Sequence, residues 1–396
     1  MRVLLALAAA VFAPLSVQAV TIDTVLIGNP NNPFDVQPQG IFGTVSTTYR
    51  IGLTEVTNAQ YVEFLNAVAA SDPYHLYNTS MGGLDQGGII QSGSDGSYTY
   101  AVKPDVLVED PGGNYTYTYG DKPVVFVSWY DAIRFTNWLH NGQGSGDTET
   151  GAYTLGAVNP DNGVPINGDS IMHNVGAKWF LPTENEWYKA AYYDGSTSEY
   201  YNYPTGSDTV PNNNLPTADT GNSANFLEGI NTTTGNLSYP YTSVGAYTLS
   251  ASPYGTFDQA GNVWEWDETR DPTGMGLRFR RGGAWDSDAT TLAGSNQGSF
   301  AATSERYSLG FRVASIPDPD GLAGDFNNDG TVDAADYVIW RKMGGSPEQY
   351  NEWRANFGMS SPGGGSFNVS AVPEPAGSVV ALGGALAFFG RRRRSS

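Results

Sequence analysis

Residues 254–266 read YGTFDQAGNVWEW. Trp264 and Trp266 flank Glu265 and read as core packing. Asp258 and Glu265 can offer carboxylates, while Gly261 and Val263 can offer backbone carbonyls, so the stretch is rich in hard oxygens. Further on, the basic alternating run LRFRR (277–281) leads into GGAWDSDATTL (282–292). Paired glycines let the backbone approach a neighbour closely. Ser287 then stands between Asp286 and Asp288. A serine nucleophile needs a general base, and the nearest candidates are these two aspartates, with no histidine close in sequence. Arg280, Arg281 and Arg312 are expected to pair with buried acids or carbonyls rather than with a substrate.

Three helices stand out upstream. TNAQYVEFLNAVAA (57–70) opens on a Thr57–Gln60 capping box, and Tyr61, Phe64, Leu65 and Val68 share one face. A second starts at Ser128 in SWYDAIRFTNWLHNG, with Asp131 in its first turn and Gly142 at its end. A third begins LPTENEWYKAA with the box Thr183–Glu186. Strands are predicted over 46–56, 177–181, 277–283 and 309–315. The loops 76–122 and 143–176 are polar and rich in Gly, Asn and Thr, and carry no assignable pattern. Forty-nine glycines and 23 prolines predict a loop-rich fold.

Six pieces occur in a telling order: EVTNAQYVEFLNAV (55–68), PVVFVSWYDAIRFTNWL (123–139), WFLPTENEWYKAA (179–191), YGTFDQAGNVWEW (254–266), RRGGAW (280–285) and LGFRV (309–313). Together they resemble the formylglycine-generating, or sulfatase-modifying-factor, domain, placed here at 21–316. The resemblance implies an α+β fold, a formylglycine-generating-enzyme-type variant of the C-type lectin fold, with a twisted antiparallel sheet and two to three helices.

It also implies chemistry that this chain lacks. In the family, two cysteines five residues apart bind copper(I), and soft thiolates are what that ion requires. Aligned on the paired glycines, those positions are Ser287 and Leu292, and the family's serine is Ala284. The chain has no cysteine at all, so no catalytic residue and no copper are expected. Relatives in the wider superfamily use three histidines for iron, but His75, His140 and His173 have no ligand spacing. Calcium is the expected cofactor. Asp258, Gly261, Val263 and Glu265 match one family calcium site; Asn225, Phe226, Asn236 and Ser238 map loosely on a second.

Both ends of the chain carry further signals. MRVLLALAAAVFAPLSVQA (1–19) is read as a signal peptide. GDFNNDGTVDAADYVIWRKMGG (324–345) places Asp325, Asn327, Asp329, Thr331, Asp333 and Asp336 at ligand positions of an EF-hand-type loop. It resembles a dockerin whose second loop is missing, because YVIWR (337–341) recurs as YNEWR (350–354). A partial, dockerin-like helical module is therefore expected over 324–358. A flexible linker follows (359–371), and then VPEP, an apolar run and RRRR (372–396). That order resembles the PEP-CTERM sorting signal, which implies an exosortase, transient membrane anchoring and delivery to the cell envelope, surface or matrix of a bacterium.

With 40 acidic against 20 basic residues, the surface repels nucleic acid. The reading that follows is an exported, non-catalytic binding or scaffold module, stabilised by calcium, for a peptide, protein or glycan ligand. Two alternatives are a sulfatase-modifying oxidoreductase with atypical chemistry and a calcium-dependent glycan binder.

Overall fold

A computed structural model describes residues 19–109, 114–317, 322, 324–326, 331–343 and 347–360. Residues 1–18 of the expected signal peptide (1–19), Asn327 and Asp329 of the expected EF-hand-type loop, residues 361–371 of the expected linker and the whole of the expected sorting segment (372–396) lie outside the described residues. The chain divides into two units, 1–320 and 321–396.

Trp264–Arg270 forms the spine of the first unit. It pairs antiparallel with Leu277–Arg281, which in turn pairs with Gly298–Ala301. On its other side it pairs parallel with Leu309–Phe311. A second, antiparallel sheet runs in the order Thr24–Ile27, Tyr49–Gly52, Ala314–Ser315, Trp179–Phe180. The chain crosses from one sheet to the other between Phe311 and Ala314, and Arg312 sits at that crossing. Parallel neighbours need a long connection, and residues 271–308 supply it.

The three expected helices form over Asn58–Val68, Trp129–His140 and Glu184–Tyr192. Each begins on a complete capping box: Thr57 with Gln60, Ser128 with Asp131, and Thr183 with Glu186. These boxes satisfy backbone N–H groups that a helix start leaves orphaned. The first two helices meet through Tyr61, Phe64 and Phe135, with ring centroids 5.3–6.0 Å apart, and Phe135 reaches Phe311 at 5.5 Å. Trp129–Leu139 is buried on all sides, so its polar residues need internal partners. Arg134 forks onto Glu149 at 2.6 and 2.9 Å, and Asn137 ties down Thr148 and Tyr153.

The loops that carried no sequence pattern hold two antiparallel ribbons, Ile89–Ser92 with Thr99–Val102 and Val106–Val108 with Tyr115–Tyr117. Short ribbons of this kind rest on tertiary packing more than on local alternation.

In the second unit, helices span Ala334–Met343 and Pro347–Asn356. Asp333 accepts from the Ala335 amide, while Asp336 accepts from that of Asp333. The duplicated YxxWR segments face one another: Tyr337 lies 5.2 Å from Trp353, and Trp340 lies 5.2 Å from Tyr350. The repeat therefore builds a small aromatic cluster, with Trp353 buried and Tyr337 exposed.

Candidate functional site

Gly261 lies at the hinge of the opening stretch. Its φ is +82°, and a Cβ there would stand 2.1 Å from the Asn225 carbonyl oxygen. Only glycine lets the 257–264 loop close on 225. The second of the paired glycines, Gly283, has φ +73° and would meet Thr291 and Leu292. These contacts fold 282–292 back on itself and place Ser287 beside the Trp264–Arg270 strand.

Glu265 is completely buried. Arg312 grips it with a fork, Nε to Oε2 at 2.6 Å and Nη2 to Oε1 at 2.7 Å, and Trp187 Nε1 donates to Oε2 at 2.7 Å. Arg312 also donates to the carbonyls of Gly52 and Phe257. Two more carboxylates face this pair. Asp258, at φ 62°, accepts from the Gly245 amide at 2.5 Å. Glu55 accepts from Asn262 Nδ2 at 3.1 Å, and its Oε2 has no partner. Burial pushes Asp258 up to about 6. Burial, reinforced by Asp258 and Glu265, holds Glu55 well above the usual carboxylate range.

The calcium set expected at Asp258, Gly261, Val263 and Glu265 does not fit this arrangement. Both Glu265 oxygens accept from the Arg312 guanidinium, and a cation there would have to share the carboxylate with that buried positive charge. Of the looser set, Asn225 turns its amide to Pro240 and Asn262 and leaves Oδ1 buried without a partner. Phe226 exchanges hydrogen bonds with Thr233, and Asn236 closes its own turn onto the Ser238 and Tyr239 amides. Among the described residues, no group of three or more His, Asp or Glu side chains is placed to hold a metal.

The positions expected to align with the family's cysteines have structural surroundings. Leu292 is fully buried against Ala224, Phe226 and Ala260, and Ala284 is equally buried. Ser287 Oγ accepts from Trp264 Nε1 at 3.1 Å and faces Asp286 at 3.5 Å. Asp288 is no base for it, because it caps the Ala289–Leu292 turn by accepting from Thr290 N. A hydroxyl and a buried isobutyl group give copper(I) no soft ligand.

Residues 38–316 match the family model described as the sulfatase-modifying factor enzyme 1-like domain. The chain belongs to that family. Two solved structures similar to this sulfatase-modifying-factor chain are "Crystal Structure of CarF", at 21% identity over 75% of this chain and 99% of that one with a TM-score of 0.49, and "Treponema denticola variable protein 1", at 22% over 76% and 98% with a TM-score of 0.46. "Structure of PvdO from Pseudomonas aeruginosa" follows at 15% over 74% and 92%, TM-score 0.35. No curated protein matches this chain.

Within this sulfatase-modifying-factor fold the arginines divide as their surroundings require. Arg281 pairs with Glu184 at 2.8 Å and with the carbonyls of Gly294 and Asn296. Arg280 departs from the expected pairing with an acid or carbonyl. It lies between the rings of Trp264 and Phe300, 3.7 and 3.9 Å from their centroids.

The three histidines are dispersed. His140 accepts from the Lys178 amide, His75 lines a separate cavity with Asp131 and Glu305, and His173 pairs with buried Glu268 at 2.6 Å. Glu268 also accepts from Tyr153 at 2.7 Å. The hydrogen bond to Glu268 raises the His173 pKa above 6.5, against an opposing effect of burial. A pKa raised in the folded state gives stability that is present below about 6.5 and is lost as pH rises through the folded value. Melting temperatures of wild type and His173→Gln should therefore differ most near pH 6 and converge by pH 9. A gap that stays constant across that range contradicts the pairing.

The arginine fork on Glu265 and the role of Glu55 escaped the sequence reading, since residues 55, 265 and 312 are joined only by the fold. A cavity beside Tyr115–Tyr117 escaped it too, although YTYTYG (115–120) carries a visible alternation of tyrosines.

Proposed function

We propose that the chain is an exported, non-catalytic member of the sulfatase-modifying-factor family, working as a binding or scaffold module. One observation carries this reading: the positions that would need thiolates hold Ser287, fastened to Trp264, and Leu292, sealed in the core. The frame survives because its hydrogen bonds are structural, while the soft donors of the family's oxidation are absent. The test is turnover. A sulfatase-type peptide with one cysteine, incubated with the full chain, copper and reductant, is expected to keep its thiol.

Calcium belongs to the second unit in this proposal. The ligand spacing from Asp325 to Asp336 supports it, as does the burial of both end carboxylates, 7% and 0% exposed. An ion that binds only the folded loop stabilises it by mass action, about 2.7 kcal/mol at one hundred times its Kd. Calcium should raise the melting temperature of the 321–360 transition, and chelator should reverse the change. A transition indifferent to both rules the ion out. The signal peptide and the VPEP tail support export, followed by a transient membrane-held form that an exosortase processes. Intact mass of the secreted protein decides this: a mature chain still ending in RRRRSS contradicts it.

A further inference from the structure

We infer that the cavity beside Tyr115–Tyr117 binds an uncharged oligosaccharide. This rests on the binding-module reading above and names its ligand class. The cavity encloses about 510 Å³, within the range of small-ligand sites. Its wall is mostly apolar. Tyr115 and Tyr117 come from one strand and Tyr241 from the 240s loop, and hydroxyls such as those of Thr217 and Ser243 stand among them. Tyr117 is 3% exposed, and its hydroxyl nears the Tyr241 backbone without reaching hydrogen-bond geometry.

Charge narrows the ligand. Lys122 is the one charged side chain in the wall among the described residues, and it is already spent. An ammonium has three donors. Those of Lys122 go to Asp121 and Ser243 at 2.9 Å and to Thr118 at 3.3 Å, with its charge 4.8 Å from the centre of the Tyr117 ring. No cation is left for an anionic ligand, and the chain's net charge of −20 repels one. Among the described residues, no carboxylate lines the wall to hold an amine. A purely apolar ligand would bury the rim hydroxyls unpaired, at a cost. A pyranose meets all these conditions. It lays a C–H face on a tyrosine ring and turns its hydroxyls to threonine and serine. None of the residues expected to bind calcium lines this cavity, so the site needs no ion.

Titration calorimetry on the full exported chain tests this. The probes are neutral tetrasaccharides (maltotetraose, cellotetraose, xylotetraose and chitotetraose), a sulfated tetrasaccharide and a proline-rich peptide, each with calcium and with chelator. At least one neutral sugar should bind at millimolar or lower concentration, unaffected by chelator. Tyr115→Ala should weaken it about tenfold or more. Thr217→Trp, at an exposed rim position, should abolish it while keeping the wild-type melting temperature. If Tyr115→Ala proves unstable, the rim variant carries the test. The inference is overturned if no neutral sugar binds, if binding needs calcium, or if both variants bind as wild type. Binding of the peptide alone in this cavity overturns the sugar class and leaves the binding-module reading standing. Turnover of a cysteine peptide defeats that reading by a separate assay.

Discussion

Replacing Arg312 with methionine is expected to destabilise the first unit by about 3–5 kcal/mol at neutral pH, the usual consequence of removing one partner of a buried ion pair. The loss is large because Arg312 serves three carboxylates. It forks onto Glu265 and opposes the raised pKa values of Glu55 and Asp258, whose desolvation already works against ionisation. Without it, Glu265 joins two buried acids that no cation compensates.

The sign with pH follows. Carboxylates with raised folded pKa values favour the native state below their unfolded values and oppose it as pH rises through the folded ones. Asp258 is held at about 6 even with Arg312 present. The methionine variant should therefore lose less stability at pH 5 than at pH 8, measured by denaturant unfolding of the first unit. A deficit below about 1 kcal/mol, or one that grows toward acid, contradicts the assigned role.

Leu292→Ala is expected to cost about 2–5 kcal/mol, the range for a truncated core leucine. Leu292 has no exposed surface and fills the space between Ala224, Phe226 and Ala260, while its carbonyl accepts from Tyr192 at 3.0 Å. This outcome discriminates between roles. A residue lining an open reactive site can be shortened with little loss, whereas a core residue leaves a cavity. An unfolding free energy within about 0.5 kcal/mol of wild type, the span of ordinary surface changes, would return position 292 to the surface of a site.

Much of the fold was legible because its signals are local. The capping boxes at Thr57, Ser128 and Thr183 fix helix starts through contacts three residues apart, and the structure places each start at the expected residue. The close approach at the paired glycines was likewise readable, since the steric demand at Gly283 acts on the residue itself, and so was the burial of Trp264 and Trp266; the same demand at Gly261 was not read. The partners of charged groups were not. Glu265 was expected as a calcium ligand from the family resemblance, and only the crossing between the two sheets brings Arg312 within 2.6 Å of it. Arg280 was expected to meet an acid or carbonyl and instead lies between two aromatic rings contributed by different strands. The tyrosine-lined cavity has the same origin: its wall joins 115–117, 215–217 and the 240s, which no sequence window spans.

Mass spectrometry of a sulfatase-type peptide after incubation with the full chain, copper, reductant and oxygen, beside a Ser287→Ala control, decides whether this domain is catalytic. Ser287 and Leu292 supply no thiolate, so the cysteine should be recovered unchanged with both proteins. Formation of the aldehyde by the wild-type chain, and its loss in Ser287→Ala, would contradict the account and make this site an enzyme.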